Sequence, residues 1–143
     1  MKLAITNDHG AVDLKNTLKA AFPDIEWVDV GTQAPTPSVD YPDYGYLMAQ
    51  LIERGEVEMG VGLCGSGVGI SIALNRSKAV RAVLCNDPIV ARLSREHNDA
   101  NVICLGGRLT TPLVAIECLK VFLSTAFEGG RHQNRVEKLT RGC

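Results

Sequence analysis

A chain of 143 residues is long enough for one domain with a real core and too short for two ordinary ones. Hydrophobic residues at 45% and charged residues at 22% belong to an ordered globular protein and exclude the disordered classes. A formal net charge of −1 gives no general attraction to nucleic acid or an anionic membrane, so any bound anion must be held by a local cluster of cations.

The amino terminus, MKLAITNDHG, lacks the apolar length of a signal peptide, and no segment approaches the roughly 20 apolar residues of a membrane span. A cytoplasmic protein is expected. Its five cysteines, Cys64, Cys85, Cys104, Cys118 and Cys143, are odd in number and form no CxxC pair. They suit reduced thiols better than a disulfide framework or a zinc site.

In chain order, KLAIT (2–6) reads as a first buried strand and leads into Asn7-Asp8-His9. A helix then runs through LKAAF and stops at Pro23. IEWVDV (25–30) is a second strand, followed by GTQAPTPSVDYPDYG (31–45). The prolines of that segment point to an ordered surface loop close to a site. EMGVGLC (58–64) is a third strand, running into the glycine turn of LCGSGVGIS (63–71). VRAVLC (80–85) is a fourth, with Pro88 in the first turn of the next helix, and NVICLG (101–106) is a fifth. Thr111 and Pro112 form an N-cap and N1 pair for a further helix. Short apolar runs alternating with helical segments of about ten to fifteen residues imply a single α/β/α sandwich with a parallel sheet.

In such a sheet ligands bind beyond the carboxyl ends of the strands. GVGLCG (60–65) matches GxGxxG, but its first two glycines fall inside a strand, which argues against a dinucleotide site. Gly65, Ser66, Gly67, Val68 and Gly69 read instead as a loop opening a helix, with N–H groups available to an anion or a developing oxyanion; a plain tight turn is the alternative. Cys64 stands at the mouth of that loop. Thiols at helix N-termini are more acidic than free cysteine and can act as base or nucleophile, whereas Cys85, Cys104 and Cys118 read as core.

Asp8 suits a helix cap as well as a functional role, and His9 beside it can donate to an anion. His97, followed by Asn98, ends the helix ARLSREH; it either complements the helix C-terminus or acts as a general acid or base. Near the end of the chain Gly129-Gly130 precedes a final helix from about residue 130. Arg131 and Arg135, four apart, can share one face there and hold a phosphate, unless they form only a solvated basic face.

Taken together, DHG (8–10), VDVGT (28–32), VDYPDYG (39–45), LCGSGVGISIALN (63–75), VRAVLCNDPIVARLSREHNDANVICLGGR (80–108) and FEGGRHQNRV (127–136) closely resemble the ribose-5-phosphate isomerase B family, which includes galactose-6-phosphate isomerase subunits. The resemblance implies a Rossmann-like three-layer α/β/α sandwich with a five-stranded parallel sheet. It also implies a metal-free, cofactor-free aldose–ketose isomerisation of a small phosphorylated sugar, ribose 5-phosphate first. The family's assembly is a homodimer or dimer of dimers with shared sites, and the final helix would lie in dimer contacts.

By position, the resemblance makes Cys64 the base between C2 and C1, gives Ser66 the hydroxyl exchange, and assigns ring opening to His97 with Asp8. The N–H groups of Gly65 through Gly69 would hold the enediolate. His9, Arg131 and Arg135 would hold the phosphate, and Arg108, as a further contributor, would come from the partner with His97 and Asn98. Some relatives place a glutamate in the loop instead of the cysteine; here Val68-Gly69-Ile70 offers none. Asn7 before the DH pair and Gly10-Ala11-Val12 after it depart from the family pattern and bear on sugar length, with four- and six-carbon substrates as alternatives. A sugar-phosphate-binding subunit without catalysis is the reading from another class.

Overall fold

A computed structural model describes residues 1–143. Five strands, β1 (Lys2–Asn7), β2 (Glu26–Asp29), β3 (Gly60–Cys64), β4 (Ala82–Leu84) and β5 (Val102–Gly106), form one parallel sheet in the order β2-β1-β3-β5-β4. Six helices flank it: α1 (Val12–Ala21), α2 (Tyr41–Glu53), α3 (Val68–Leu74), α4 (Pro88–Asn98), α5 (Pro112–Ser124) and α6 (Gln133–Arg141). The result is the expected three-layer α/β/α fold. None of the helices is long and apolar enough to cross a membrane.

The period-two geometry of the central strands divides the core into two halves. Leu3, Ile5, Val61, Leu63, Ile103 and Leu105 face α1, α4 and α5 in one apolar cluster. Ala4, Cys64, Val102 and Cys104 face α2 and α3 in the other. On that second face Gly60 and Gly62 keep the helices close. A Cβ at Gly60 would stand 2.7 Å from Met48 Sδ, and one at Gly62 the same distance from Leu74 Cδ1. The first two glycines of the GxGxxG match are therefore strand residues in packing roles.

Helix starts follow the local chemistry. Asp87 accepts from the Ile89 N–H at 2.6 Å ahead of Pro88, and Thr111 from the Val114 N–H at 3.4 Å ahead of Pro112. Three expectations change. Strands β2, β3 and β4 are shorter than their expected runs: β2 and β4 lie at sheet edges with a single neighbour and are only partly covered, and the buried β3 begins at Gly60 instead of residue 58. Residues 41–45, expected in the proline loop, form the start of α2, with proline at its favoured N-terminal position. The final helix is preceded by a 3-10 turn, Gly130–His132, so Arg131 lies outside α6.

One buried ion pair ties α1 to the loop after β2. The fully buried Lys15 Nζ donates to Asp29 Oδ1 at 3.1 Å and to the Thr32 carbonyl at 2.7 Å, while Lys19 reaches Asp29 Oδ2 at 2.8 Å. Burial pulls the Lys15 pKa down, and the attraction of Asp29 does not fully offset it. At Asp29 burial acts upward, but hydrogen bonds from Lys19, Lys15 and the Gly31 N–H outweigh it and leave the carboxyl below its ordinary range. Its stabilising contribution is complete above the unfolded value of 3.8 and is lost as pH falls from there through the depressed folded value. Asp29→Asn leaves a buried ammonium without its counter-charge and should cost about 3 kcal/mol in urea unfolding at pH 7. Adding Lys15→Met to that variant should recover most of the loss.

Candidate active site

Strand register brings the loops after β1, β3 and β5 out of the sheet side by side. Asn7 pairs with Leu63 and Cys64 with Gly106. Beyond the strands the loops continue to bond. The Gly107 N–H donates to the Cys64 carbonyl at 2.8 Å, and the Arg108 N–H to the Gly65 carbonyl at 2.9 Å. Between them lies a cavity of about 310 Å3 lined by Asp8, Tyr41, Cys64, Gly65, Ser66, Gly69, Arg108 and Leu109. A second hollow of about 230 Å3 adjoins it, lined in part by His9 and Pro35 and sharing Arg108.

Cys64 closes β3, buried on the side of α2 and α3 but with access to the cavity. Gly67 takes φ +80° at the N-cap of α3, and this turn aims its N–H at Cys64 Sγ, 3.1 Å away. The Val68 N–H goes to Ser66 Oγ at 3.3 Å. Two of the five loop donors are thus committed within the loop, while the Gly65, Ser66 and Gly69 N–H groups make no bond within the chain and line the cavity. The other core thiols are chemically muted. Burial pushes Cys85, Cys104 and Cys118 up, Cys118 to about 12.

Asp8 is both a cap and a cavity residue: its Oδ1 accepts from the Gly10 N–H at 2.8 Å and the side chain lines the wall. His9 Nδ1 lies 3.1 Å from the Val39 nitrogen and 3.2 Å from the Val39 carbonyl oxygen, and Nε2 lies 3.5 Å from Ser38 Oγ. The ring borders the second hollow. Tyr41 was not singled out by sequence reading. It starts α2 and lies flat against Gly69, where a Cβ would fall 2.6 Å from its ring. The only signal for it was its place at the end of the proline loop.

The remaining expected residues stand at the opposite edge of the sheet. Helix α4 runs back against the strands, so His97 and Asn98 end just before β5 begins, whereas Cys64 pairs with the last residue of β5. Four strand steps of about 3.3 Å place at least ~13 Å between them. Asp99, at φ +45°, turns this corner. Its carboxylate is held by Arg81 and Arg95, each at 2.9 Å. The C-terminal segment joins here: the Glu128 N–H donates to the Glu96 carbonyl at 3.1 Å, and the His132 ring stacks on His97 with centroids 4.4 Å apart.

Arg131 and Arg135 are exposed beside that stack, and neither enters a salt bridge; the same holds for Arg108 at the carboxyl edge. Burial, then repulsion from His97 and Arg131, lowers the His132 pKa against the pull of Glu128. Within one chain Arg108 lines the cavity of its own Cys64, and Arg131 and Arg135 lie on the side of His97 and His132. The largest hollow, about 720 Å3 between β4 and the C-terminal residues, contains none of the carboxyl-edge groups and touches Asn98 alone among the expected residues. Chemistry, not size, locates the site.

Residues 3–139 match the Ribose/Galactose Isomerase family. The chain is 42% identical over 142 residues to a putative sugar phosphate isomerase of Bacillus subtilis, covering 98% of this chain and 95% of that one. It is 41% identical over 141 residues to ribose-5-phosphate isomerase B of Escherichia coli, covering 97% and 94%. The crystal structure of a ribose 5-phosphate isomerase from Thermotoga maritima superposes with a TM-score of 0.95 at 45% identity, over 99% and 98% of the two chains.

The conformation of Gly67 gives a direct test of the loop. A Cβ there would stand 2.8 Å from Leu84 Cδ1 and 2.9 Å from the Leu105 carbonyl carbon, at a φ that side chains avoid. Gly67→Ala should lower the unfolding free energy by about 1–3 kcal/mol in a denaturant titration.

Proposed function

The chain belongs to the ribose/galactose isomerase family, and we propose that it interconverts ribose 5-phosphate and ribulose 5-phosphate through a cis-enediolate. The observation that carries this reading is the pairing of the Cys64 thiol with the unbonded N–H groups of Gly65, Ser66 and Gly69 around one cavity. A base that removes a proton beside a carbonyl creates charge on oxygen within a few ångströms, and both needs meet there.

Ribose 5-phosphate enters as a closed ring. His97, with Asp8, moves a proton from the anomeric hydroxyl toward the ring oxygen and releases the open aldehyde. Cys64 as thiolate then takes the C2 proton, and electrons move onto the carbonyl oxygen to form the enediolate. The Gly65, Ser66 and Gly69 N–H groups stabilise that oxygen by about 3 kcal/mol per donor. Ser66 Oγ moves the hydroxyl proton between O2 and O1. Cys64 returns its proton to C1, which leaves the ketose. Gly67 serves the sulfur through its N–H, 3.1 Å from Sγ.

Within one chain the ring-opening imidazole and the base occupy opposite edges of the sheet, so the site is completed by a second copy. His97, Asn98, Arg131 and Arg135 reach across from the partner to meet Asp8, Cys64 and Ser66. His9 and Arg108 bind the phosphate from the first chain, and α6 contributes to the dimer contact. The whole chain acts as one catalytic domain. A cytoplasmic setting suits five unpaired thiols.

Turnover in the presence of chelator, across four-, five- and six-carbon sugar phosphates, should favour ribose 5-phosphate. Preference for another length keeps the chemistry and changes the substrate; no turnover favours a binding subunit. Cys64→Ala should lose about 10²–10⁴-fold in kcat while sugar phosphate still binds by calorimetry, and unchanged turnover rejects the base. Mixing inactive Cys64→Ala and His97→Ala proteins after partial denaturation and refolding should restore about a quarter of wild-type activity, because half of randomly paired dimers carry one intact site. No recovery rejects the shared site.

A further inference from the structure

The proposed reaction leaves part of the His97 cluster unused. The ligating atoms of His97, Glu128 and His132 all lie within 4.8 Å of one another. The two imidazoles stack with an interplanar angle of 16°, and Glu128 Oε2 is 3.5 Å from His132 Nε2. These donors come from segments 31 residues apart that the Glu128 N–H to Glu96 carbonyl bond clamps together. The spacing is thus set by the fold and not by chance meeting of surface side chains.

Two imidazole nitrogens and one carboxylate oxygen form a donor set that suits zinc and its neighbours, and not magnesium or calcium, which prefer oxygen alone. Bonds of about 2.0–2.2 Å require the His97 ring to turn out of its near-parallel stack on His132, so that both lone pairs meet at the ion, and the donor atoms to close from their present separation of up to 4.8 Å. The Glu128 side chain, 53% exposed, has the freedom for that, while His132 at 8% supplies a fixed anchor. Arg131 Nε donates to His132 Nε2 across 3.4 Å, a long contact that a metal would replace. Arg131 and Arg135 oppose a cation, which makes the Glu128 carboxylate the indispensable charge of the set.

We propose that His97, Glu128 and His132 form an inhibitory site for a divalent transition-metal ion of the zinc type, which stops ring opening by occupying the His97 imidazole. No covalent bond of the sugar changes in this step; the metal takes the nitrogen lone pair that would otherwise accept the proton. Binding stands on the geometry of one chain, whereas inhibition rests on the ring-opening role given to His97 above.

The test separates the two. Zinc binding is followed by calorimetry, and cobalt binding by its visible absorption, on the wild-type chain and on Glu128→Gln and His132→Gln. Activity is read on two substrates. Ribose 5-phosphate presents a furanose ring, but ribulose 5-phosphate cannot close one because its O5 carries the phosphate, so deuterium entry at its C1 needs Cys64 and not ring opening. We expect one ion per chain and at least about tenfold weaker binding in each variant, a change of about 1.4 kcal/mol. Zinc should suppress ribose 5-phosphate turnover and spare deuterium entry, with Glu128→Gln resistant and its metal-free turnover intact. Equal binding in the wild type and both variants, or a sulfur-to-cobalt absorption band, which neither imidazole nor carboxylate ligands give, overturns the site. Zinc that halts both reactions equally overturns the proposed route of inhibition. Absence of any turnover would sink the isomerase reading alone, since the binding measurements stand without it.

Discussion

At the carboxyl edge of the sheet three loops touch backbone to backbone, and that contact positions the Cys64 thiol. A Cβ at Gly106 would stand 2.7 Å from the Ser66 carbonyl oxygen, and one at Gly107 would stand 2.6 Å from the Gly10 carbonyl oxygen. Side chains at these points would force the loops apart by more than packing tolerates. With them absent, the β5 loop bonds to both Cys64 and Gly65, and the Arg108 side chain settles 3.3–3.5 Å from the point where a Gly65 Cβ would be. The Cys64 thiol, the unbonded N–H groups of its loop and the Arg108 cation are thereby held by one backbone junction instead of by separate flexible arms.

The same winding that concentrates these groups also divides the site. In a doubly wound unit, residues following strands gather at one edge and residues following helices gather at the other. Cys64 ends β3 and Asp8 follows β1, while His97 lies in the last turn of α4. A reaction that needs an acid–base pair on both sides of a sugar cannot be completed by one such chain without a long excursion of a loop. The corner at Asp99 rules out that excursion, because two arginines and a left-handed residue fix it in place. Pairing of two chains, as proposed above, meets that constraint.

Legibility in the sequence followed locality. The interiors of β1, β3 and β5 were readable because each is an apolar run buried on both faces, and the helix starts at Asp87 and Thr111 because a cap and a proline are adjacent in the chain. The Cys64 loop was legible for the same reason. Edge strands were overextended, since hydrophobicity records burial but not the number of neighbours. Tyr41 was hidden by a proline that serves a helix start as readily as a loop. The commitment of the Gly67 N–H to sulfur depends on a φ of +80°, which composition does not encode. His132 and Glu128 were invisible beside His97, because the bond joining residues 96 and 128 is a product of tertiary folding.

The wall opposite the thiol has a remote support. Lys15 is buried to no benefit of its own, as the downward pull on its pKa indicates, yet its ammonium holds both Asp29 and the Thr32 carbonyl. From Thr32 the chain runs through Val39, whose backbone contacts His9 Nδ1, to Tyr41, which covers Gly69. An apolar residue at position 15 would remove the desolvation cost but could not hold the start of that segment. The ion pair is therefore best understood as a constraint on the loop between β2 and α2, through which a charge on the far side of α1 governs the shape of the cavity over Cys64.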